Sequence, residues 1–473
     1  MLIDPEKREK ERSLFEQERK RVPSLFERAP MIDKEEYLRW IGIDYYDPQL
    51  SIGYLKLMPQ DFIVEEISPD SVLHNVDTGD LITDISQDGL TYFADLVKVG
   101  ISTLDAKDQL AELLKIEPKH ISFAGIKDRL ALTSQRISIR NLTEVDALKN
   151  INQENFFIKN KSRGKGVVAN GDLRGNRFII TLRTTAPITE EFIAKTQRNL
   201  SFIEQNGFWN FFSFQRFGTP RLISHWLGLL LIKGQYEKVV KTFITHTAPR
   251  ELPYFVNIRK NMEGIWGNWA DIQKKISIFP YHFSLENKLV EHLLKNPSDF
   301  LGALQLIPDQ TRLWMYAYDC FLFNRMLSQL IKKGSIPSQL PLITSFNPRD
   351  WEPYREFLDA DEVRLPSRSY RDFPFVRVES RTWPTIQKIG IHATDFKDQL
   401  ALFAFSLPKG SYATTFLANF FTLTTGLPIL PGISMEKIDA KELLNLGTLG
   451  PTLERFKTVL ERREQDITGG VEE

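Results

Sequence analysis

Between residues 50 and 183 short apolar runs carry hydrophobic side chains on both faces, and one well-marked helix interrupts them. SIGYLKLMPQDFIVEEI reads as two short strands around Pro59, and TYFADLVKVG as a third. Such two-sided runs suit a sheet that is covered on both faces. STLDAKDQLAELLKI follows, with Ser102 and Asp105 in a capping-box arrangement and Ala106, Leu110, Leu113 and Leu114 on one face, which predicts a helix. ISFAG, RISIR and NRFIITLR then return to strand, separated by Gly and Asn clusters. Neither the GxGxxG nor the GxxxxGKS/T fingerprint occurs in this alternation, so no nucleotide cofactor is expected.

Outside this region the pattern changes. EKREKERSLFEQERKR at 6–21 mixes seven basic with five acidic residues, at spacings such as Glu6 to Lys10, and predicts an exposed, solvated helix without chemistry. Pro23 and Pro30 end it, and DKEEYLRWIG predicts a second short helix. Residues 224–245 and 283–331 read as helices, with Leu313, Tyr316, Ala317, Phe321 and Leu322 as one apolar face. Prolines cluster at 337–353 and recur at 366, 374 and 384, which marks loops or domain crossings. Strand returns in ALFAFSLPKGSYATTF, and the charged tail from about 432 predicts a helix followed by disorder.

The chain has 473 residues, of which 42% are apolar, enough for about three domains with ample core. Its longest strongly apolar run, WLGLLLI at 226–232, is too short to span a membrane, and the N-terminal MLIDPEKREKERS places charges where a signal peptide needs an apolar stretch. A cytoplasmic protein with no membrane partner is expected. The single cysteine, Cys320, removes disulfides, CxxC redox pairs and cysteine-based zinc sites. Seven histidines show no HExxH or similar ligand spacing, so no metal is expected.

Formal net charge is zero, but the basic residues are unevenly placed. Residues 157–183 hold seven Lys/Arg against Asp172 alone, and 118–140 hold five Lys/Arg plus His120 against Asp128 alone. A basic surface for a polyanion would be local rather than general. Asp128 itself, in FAGIKDRLAL, sits between Lys127 and Arg129 at a junction of two strands. An aspartate in a glycine-containing turn ordinarily bonds its own backbone. Between two cations, however, a carboxylate stays ionised even when partly buried, and an ionised carboxylate is what a nucleophile requires. GFWNFFSFQRFGTPR at 207–221 carries six aromatics among residues 208–217, with Asn210, Arg216 and Arg221. Most of these rings are expected in a core strand, although nucleic-acid sites also interleave aromatics with arginines and amides. A carboxylate pair of Asp128 with Glu65 or Glu66, as in a glycosidase, finds no support in the spacing.

Taken in order, K-x-x-P-x-D-F at 56–62, FAGxKDRxAxTxQ at 123–135, NxFxxQRFG at 210–218, LFN at 322–324 and LPxGSYAT at 407–414 resemble the TruD family of tRNA pseudouridine synthases. The likeness spans about residues 50–420. It implies an enzyme that isomerises a uridine in tRNA, usually at position 13, with no cofactor and no metal, and acting as a monomer. By position, Asp128 matches the family's catalytic aspartate and Lys56 a lysine able to pair with it. Phe62, Asn210, Phe212 and Tyr412 match substrate-binding residues. Lys127, Arg129, Arg163, Arg177 and Arg216 are the candidate RNA-binding residues, with Lys127 either facing phosphates or bracing its loop. The implied fold is α/β (α+β): a pseudouridine-synthase catalytic domain around a mixed, mainly antiparallel sheet, with a second α/β domain inserted into it. The corresponding boundaries are an N-terminal helical extension at 1–48, the catalytic domain at 49–235 and 386–431, the insertion at 236–385 and a charged tail at 432–473. Departures from the pattern at Ser213 and Phe214 keep an alternative open, a non-catalytic tRNA-binding or RNA-chaperone protein on the same fold, against which intact Asp128, Lys56 and Asn210 count.

Overall fold

The computed structural model describes residues 5–45, 47, 50–79, 88–142, 148 and 151–468. These fall into two compact units. One takes the described residues within Pro30–Ile32, Gln49–Phe208 and Gln387–Glu473, the other those within Met1–Ala29, Asp33–Pro48 and Trp209–Ile386.

The first unit is built on a 12-stranded sheet. Its order is Met31–Ile32, Thr422–Thr425, Ile52–Tyr54, Gly175–Thr184, Phe62–Ile67, Leu132–Arg140, Thr91–Lys98 and Phe156–Gly164. Leu400–Pro408 also pairs along Gly175–Thr184 and carries Gly390–Lys397 on its other edge. Two pairs are parallel, Thr422–Thr425 with Ile52–Tyr54 and Phe62–Ile67 with Leu132–Arg140. The sheet is thus mixed and mainly antiparallel, as expected from the resemblance.

The two-sided strands are covered on both faces. Phe178, Ile180 and Leu182 turn to one side, against Phe62, Phe403, Phe405 and the helix residues Leu200, Ile203 and Phe416. Ile179 turns to the other, with Ile63, Leu132 and Leu402, as the alternation of a strand requires. Each such side chain contributes roughly 1.5–3 kcal/mol by leaving water. Helix Thr103–Leu113 begins where expected, with Ser102 Oγ accepting from Asp105 N–H. It buries Ala106, Leu110 and Ala111 against Tyr92, Leu96, Ile137 and Ile139, while Leu113 stays exposed.

The tail differs from expectation. Ile438, Leu444, Leu449, Phe456 and Val459 pack under the sheet, and Lys441 is fully buried. Of these only Val459 lies inside a helix, and the others flank the short helices Ala440–Leu443 and Gly450–Arg455, so no single helical face announces them. Residues 469–473, where disorder was expected to end the chain, lie outside the described residues.

The second unit is helical, and its strand content includes a two-stranded ribbon of Gln339–Pro341 with Thr382–Pro384. The expected helix at 224–245 is two helices, Ser224–Ile232 and Tyr236–Thr245, separated by Gly234 at φ 70°. The expected helix at 283–331 is three, Ser284–Lys295, Phe300–Gln305 and Pro308–Lys333. In the last of these Leu313 is exposed and the core face runs through Trp314, Tyr318 and Leu322. Gly228 lets helix Ser224–Ile232 approach so closely that a Cβ there would meet the Trp314 carbonyl. That packing puts the contact boundary at Phe208–Trp209, upstream of residue 236.

Helix Pro5–Arg21 is not merely solvated. Phe15 stacks on Phe255, Glu18 accepts from the Tyr254 hydroxyl at 3.0 Å, and Glu11 accepts from the Tyr281 and His282 amides. The aromatic segment after Gly207 has buried rings, as expected, but only Phe208–Trp209 is strand; Phe214–Phe217 forms a 3-10 turn.

Candidate active site

Asp128 stands in the connection between strands Ile121–Phe123 and Leu132–Arg140, with 43% of its side chain exposed. Its Oδ2 lies 3.0 Å from the Lys56 ammonium, which is 13% exposed and sits 4.1 Å over the centre of the Phe62 ring. Three of the expected site residues therefore meet: carboxylate, counter-ion and aromatic face.

The lysine reaches this point through an unusual backbone. Lys56 has φ 60°, in the left-handed region that costs a side-chain-bearing residue roughly 1–2 kcal/mol. Strain of this kind persists where the surroundings over-determine it. Here the following Pro59–Asp61 turn is fixed by Asp61, which accepts from Met58 N–H at 3.0 Å and from both prongs of buried Arg183 at 2.9 and 2.7 Å. Arg183 in turn donates to the carbonyls of Ser434 and Glu436, so the tail segment helps hold the turn.

The Asp128 loop is pinned group by group. Gln135 Nε2 donates to the Gly125 carbonyl, Gly171 N–H to that of Ala124, and Lys127 N–H to Thr103 Oγ1, each within 2.9 Å. Thr103 Oγ1 donates onward to Gln135 Oε1 at 3.2 Å. Lys98, at the end of strand Thr91–Lys98, donates from Nζ to the Asp128 carbonyl at 2.7 Å and to the Ile101 carbonyl at 2.9 Å. Burial pushes the Lys98 ammonium down to about 7; the charge of Asp128 opposes this, while Lys127 and Arg129 add to it.

Several candidate RNA contacts are spent elsewhere. Lys127 is buried, with its ammonium 2.6 Å from Glu66 and 2.9 Å from Asn176 Oδ1, so it braces the loop instead of facing phosphate. Arg177 donates from Nε and Nη2 to one oxygen of buried Glu65, Oε2, at 2.7 and 2.5 Å. Glu65 also takes Lys441 at 2.9 Å; burial acts to raise its pKa, but Lys441, Arg177 and the Val76 amide outweigh it and hold it below the ordinary carboxylate range. Arg163 donates to the Gly89 carbonyl and lies over Tyr92. Arg129 is half-buried in the loop itself. The basic stretch at 157–183 thus has much of its charge neutralised inside the unit. Glu65 and Glu66, both fully buried and ion-paired, are unavailable as hydrolase partners of Asp128.

Tyr412, half-buried, precedes helix Ala413–Leu417 in the same unit, next to Ser411, whose hydroxyl donates to Gln387 Oε1. Asn210, Phe212 and Arg216 belong to the helical unit. There Asn210 donates to the Pro384 carbonyl at 2.9 Å, and Arg216 Nε lies 3.1 Å from Cys320 Sγ. Phe212 packs between Phe323 and Trp383, while Asn324 of the LFN motif accepts from its N–H and donates to its carbonyl.

Sequence reasoning missed the mount beneath Asp128: Lys98, Thr103, Glu66 and Asn176. A signal existed for Lys98, since a lysine inside a strand apolar on both faces needs a buried acceptor. Among the described residues no group of three or more His, Cys, Asp or Glu is placed to hold a metal ion, and no helix is long and apolar enough to cross a membrane.

Comparison with known proteins gives a consistent result. The family model for tRNA pseudouridine synthase D (TruD) matches residues 41–341. A protein from Methanopyrus kandleri named as a probable tRNA pseudouridine synthase D is 30% identical over 342 residues, covering 68% of this chain and 83% of the relative. One from Methanosarcina barkeri with the same name is 31% identical over 312 residues, 65% of this chain and 66% of the relative. In fold, the chain is similar to a crystal structure described as TruD from Methanosarcina mazei, with a TM-score of 0.62 at 24% identity over 81% of this chain and 97% of that one.

Proposed function

The chain belongs to the TruD family of tRNA pseudouridine synthases, an isomerase family, and from that premise we propose that Asp128 is the nucleophile with which it converts a uridine, at position 13 of tRNA, to pseudouridine. The observation that carries the reading is the Lys56–Asp128 pair: a half-exposed carboxylate with its own counter-ion, on a loop whose backbone groups are tied down.

The chemistry breaks the C1′–N1 bond and forms C1′–C5 to the same ring, with the C5 proton lost and one gained at N1. Attack of an Asp128 oxygen at C1′ expels the base as its anion; attack at C6 makes an adduct on the ring. Either route asks for an anionic oxygen held still near a flipped-out base. Flipping costs a few kcal/mol, which stacking and hydrogen bonds to the base edge can offset. In this proposal Tyr412 supplies a ring face, and Phe62, 2% exposed beneath the Lys56 ammonium, lines the site from below instead of stacking on the base. By the family resemblance Asn210, whose amide nitrogen is engaged by Pro384, and Phe212 are proposed substrate-binding residues of the helical unit. Of the candidate RNA contacts, Arg129 and Arg216 are proposed to meet the RNA, while Arg163 is held by the Gly89 carbonyl. In this proposal the sheet-bearing unit carries the catalytic domain and residues 236–385 of the helical unit are the insertion, in a cytoplasmic, monomeric enzyme.

The test is to incubate the protein with unmodified tRNA and map pseudouridine, then repeat with Asp128→Asn. Loss of at least about a thousandfold in rate is expected, since a neutral amide cannot form the covalent intermediate. A variant that still isomerises at near the wild-type rate sinks the assignment.

A further inference from the structure

We propose that Lys98 is a positioning residue for the reaction, holding the peptide of Asp128 in place by tying the aspartate's own carbonyl to that of Ile101. The inference rests on Asp128 being the nucleophile.

The geometry is specific. Lys98 ends strand Thr91–Lys98, where its neighbours across the sheet are Thr133 and Phe156. It is completely buried, and its ammonium donates to two backbone carbonyls, at 2.7 Å to Asp128 and 2.9 Å to Ile101. No carboxylate of a described residue lies within ion-pair distance of it. A buried ammonium held by carbonyls alone is a poor stabiliser, because desolvating the charge costs more than two neutral acceptors return. The cation sits instead where it sets the position of one peptide, the one whose side chain meets Lys56.

The loop has other ties, but these act on Ala124, Gly125 and Lys127. Among the described contacts, Lys98 alone reaches the backbone of Asp128 itself, and carbonyl position fixes the direction in which the side chain leaves. The charged groups facing Lys98 are Asp128, Lys127 and Arg129 on the loop and Asp105 on helix Thr103–Leu113. Burial lowers the ammonium to about 7, with Asp128 and Asp105 opposing the shift and Lys127 and Arg129 adding to it. The neutral amine keeps a donor for each carbonyl but loses the charge that strengthens both bonds, so positioning weakens as pH rises.

Single-turnover rate and tRNA affinity are measured for wild type, Lys98→Met, Lys98→Arg and Asp128→Asn. Lys98→Met is expected to lower the single-turnover rate about 30- to 100-fold, the scale of a displaced reacting group, while the tRNA Kd stays within about threefold. Lys98→Arg, which keeps the charge and the donors, should recover part of the rate. A Lys98→Met rate within about threefold of wild type, or a Kd that weakens in step with the rate, overturns the inference. Should Lys98→Met fail to fold, wild type carries the test: its single-turnover rate should fall as pH rises through about 7, and a rate that is flat from pH 6 to 9 overturns the inference. If Asp128→Asn is inactive and Lys98→Met is fully active, only the role of Lys98 falls; if Asp128→Asn is active, the nucleophile reading falls with it.

Discussion

Lys98→Met should convert a pH-dependent stability into one that is flat with respect to this group. Burial lowers the Lys98 ammonium from its ordinary 10.5 to about 7. A lowered lysine pKa penalises the folded state wherever the group is forced to stay charged. The penalty is therefore fully present below pH 7, shrinks as pH rises from 7 to 10.5, and is gone above that. At about 1.36 kcal/mol per pH unit the whole penalty is about 5 kcal/mol, of which about 2.5 kcal/mol is relieved between pH 6 and pH 9. Methionine keeps the length of the stem and has no proton to lose. Its two missing hydrogen bonds, to Ile101 and Asp128, leave carbonyls unpaired at about 1–3 kcal/mol each, but that cost is the same at both pH values. The difference between variant and wild type should thus favour the variant by about 2.5 kcal/mol more at pH 6 than at pH 9. All eight tryptophans lie in the helical unit, so their fluorescence does not report on the sheet. Urea unfolding read by hydrogen exchange in peptides covering Thr91–Arg140 does. Equal differences at the two pH values, within about 0.5 kcal/mol, would refute the assignment of a strained buried ammonium to Lys98.

Two further outcomes follow from the buried charges. Lys127→Met leaves Glu66 buried without its cation and should cost about 3–5 kcal/mol by the same measurement, with part of the loss recovered in Lys127→Met combined with Glu66→Gln; a loss under about 1 kcal/mol would place the pair outside the loop's support. Ending the chain at Pro431 removes Ile438, Leu444, Leu449 and Phe456 from the core and Lys441 from Glu65. The lost burial alone, at roughly 1.5–3 kcal/mol per side chain, rivals the 5–15 kcal/mol of a typical domain, so hydrogen-exchange protection of Phe62–Ile67 should collapse; unchanged protection contradicts this packing.

Much of the site was legible in the sequence because its parts are marked locally. Ser102 and Asp105 announced a helix start, Pro59 a bend, and Gly125 with Asp128 a turn between strands, each from neighbours within a few residues. The fate of the cations was not legible. Lys127, Arg177 and Arg183 fall in the two basic stretches, yet each finds its carboxylate on the Asp61–Glu66 stretch, which the sheet brings alongside from far away in the chain. The helix at 6–21 misled for the same reason: its charges were counted as solvated, while Glu11, Phe15 and Glu18 are used by partners beyond residue 250.

By itself, the sequence determined which residues alternate, where helices begin, and which motifs mark a candidate site, because periodicity, caps and short motifs are properties of neighbouring residues. Tertiary structure decided which charges are free. A cation's partner is set by strand order and burial, and in a dry interior an ion pair or carbonyl contact outweighs anything its sequence neighbours say. That is how Lys127 becomes a brace, the tail becomes core, and Lys98, an unremarkable lysine at the end of a strand, comes to hold the peptide of Asp128.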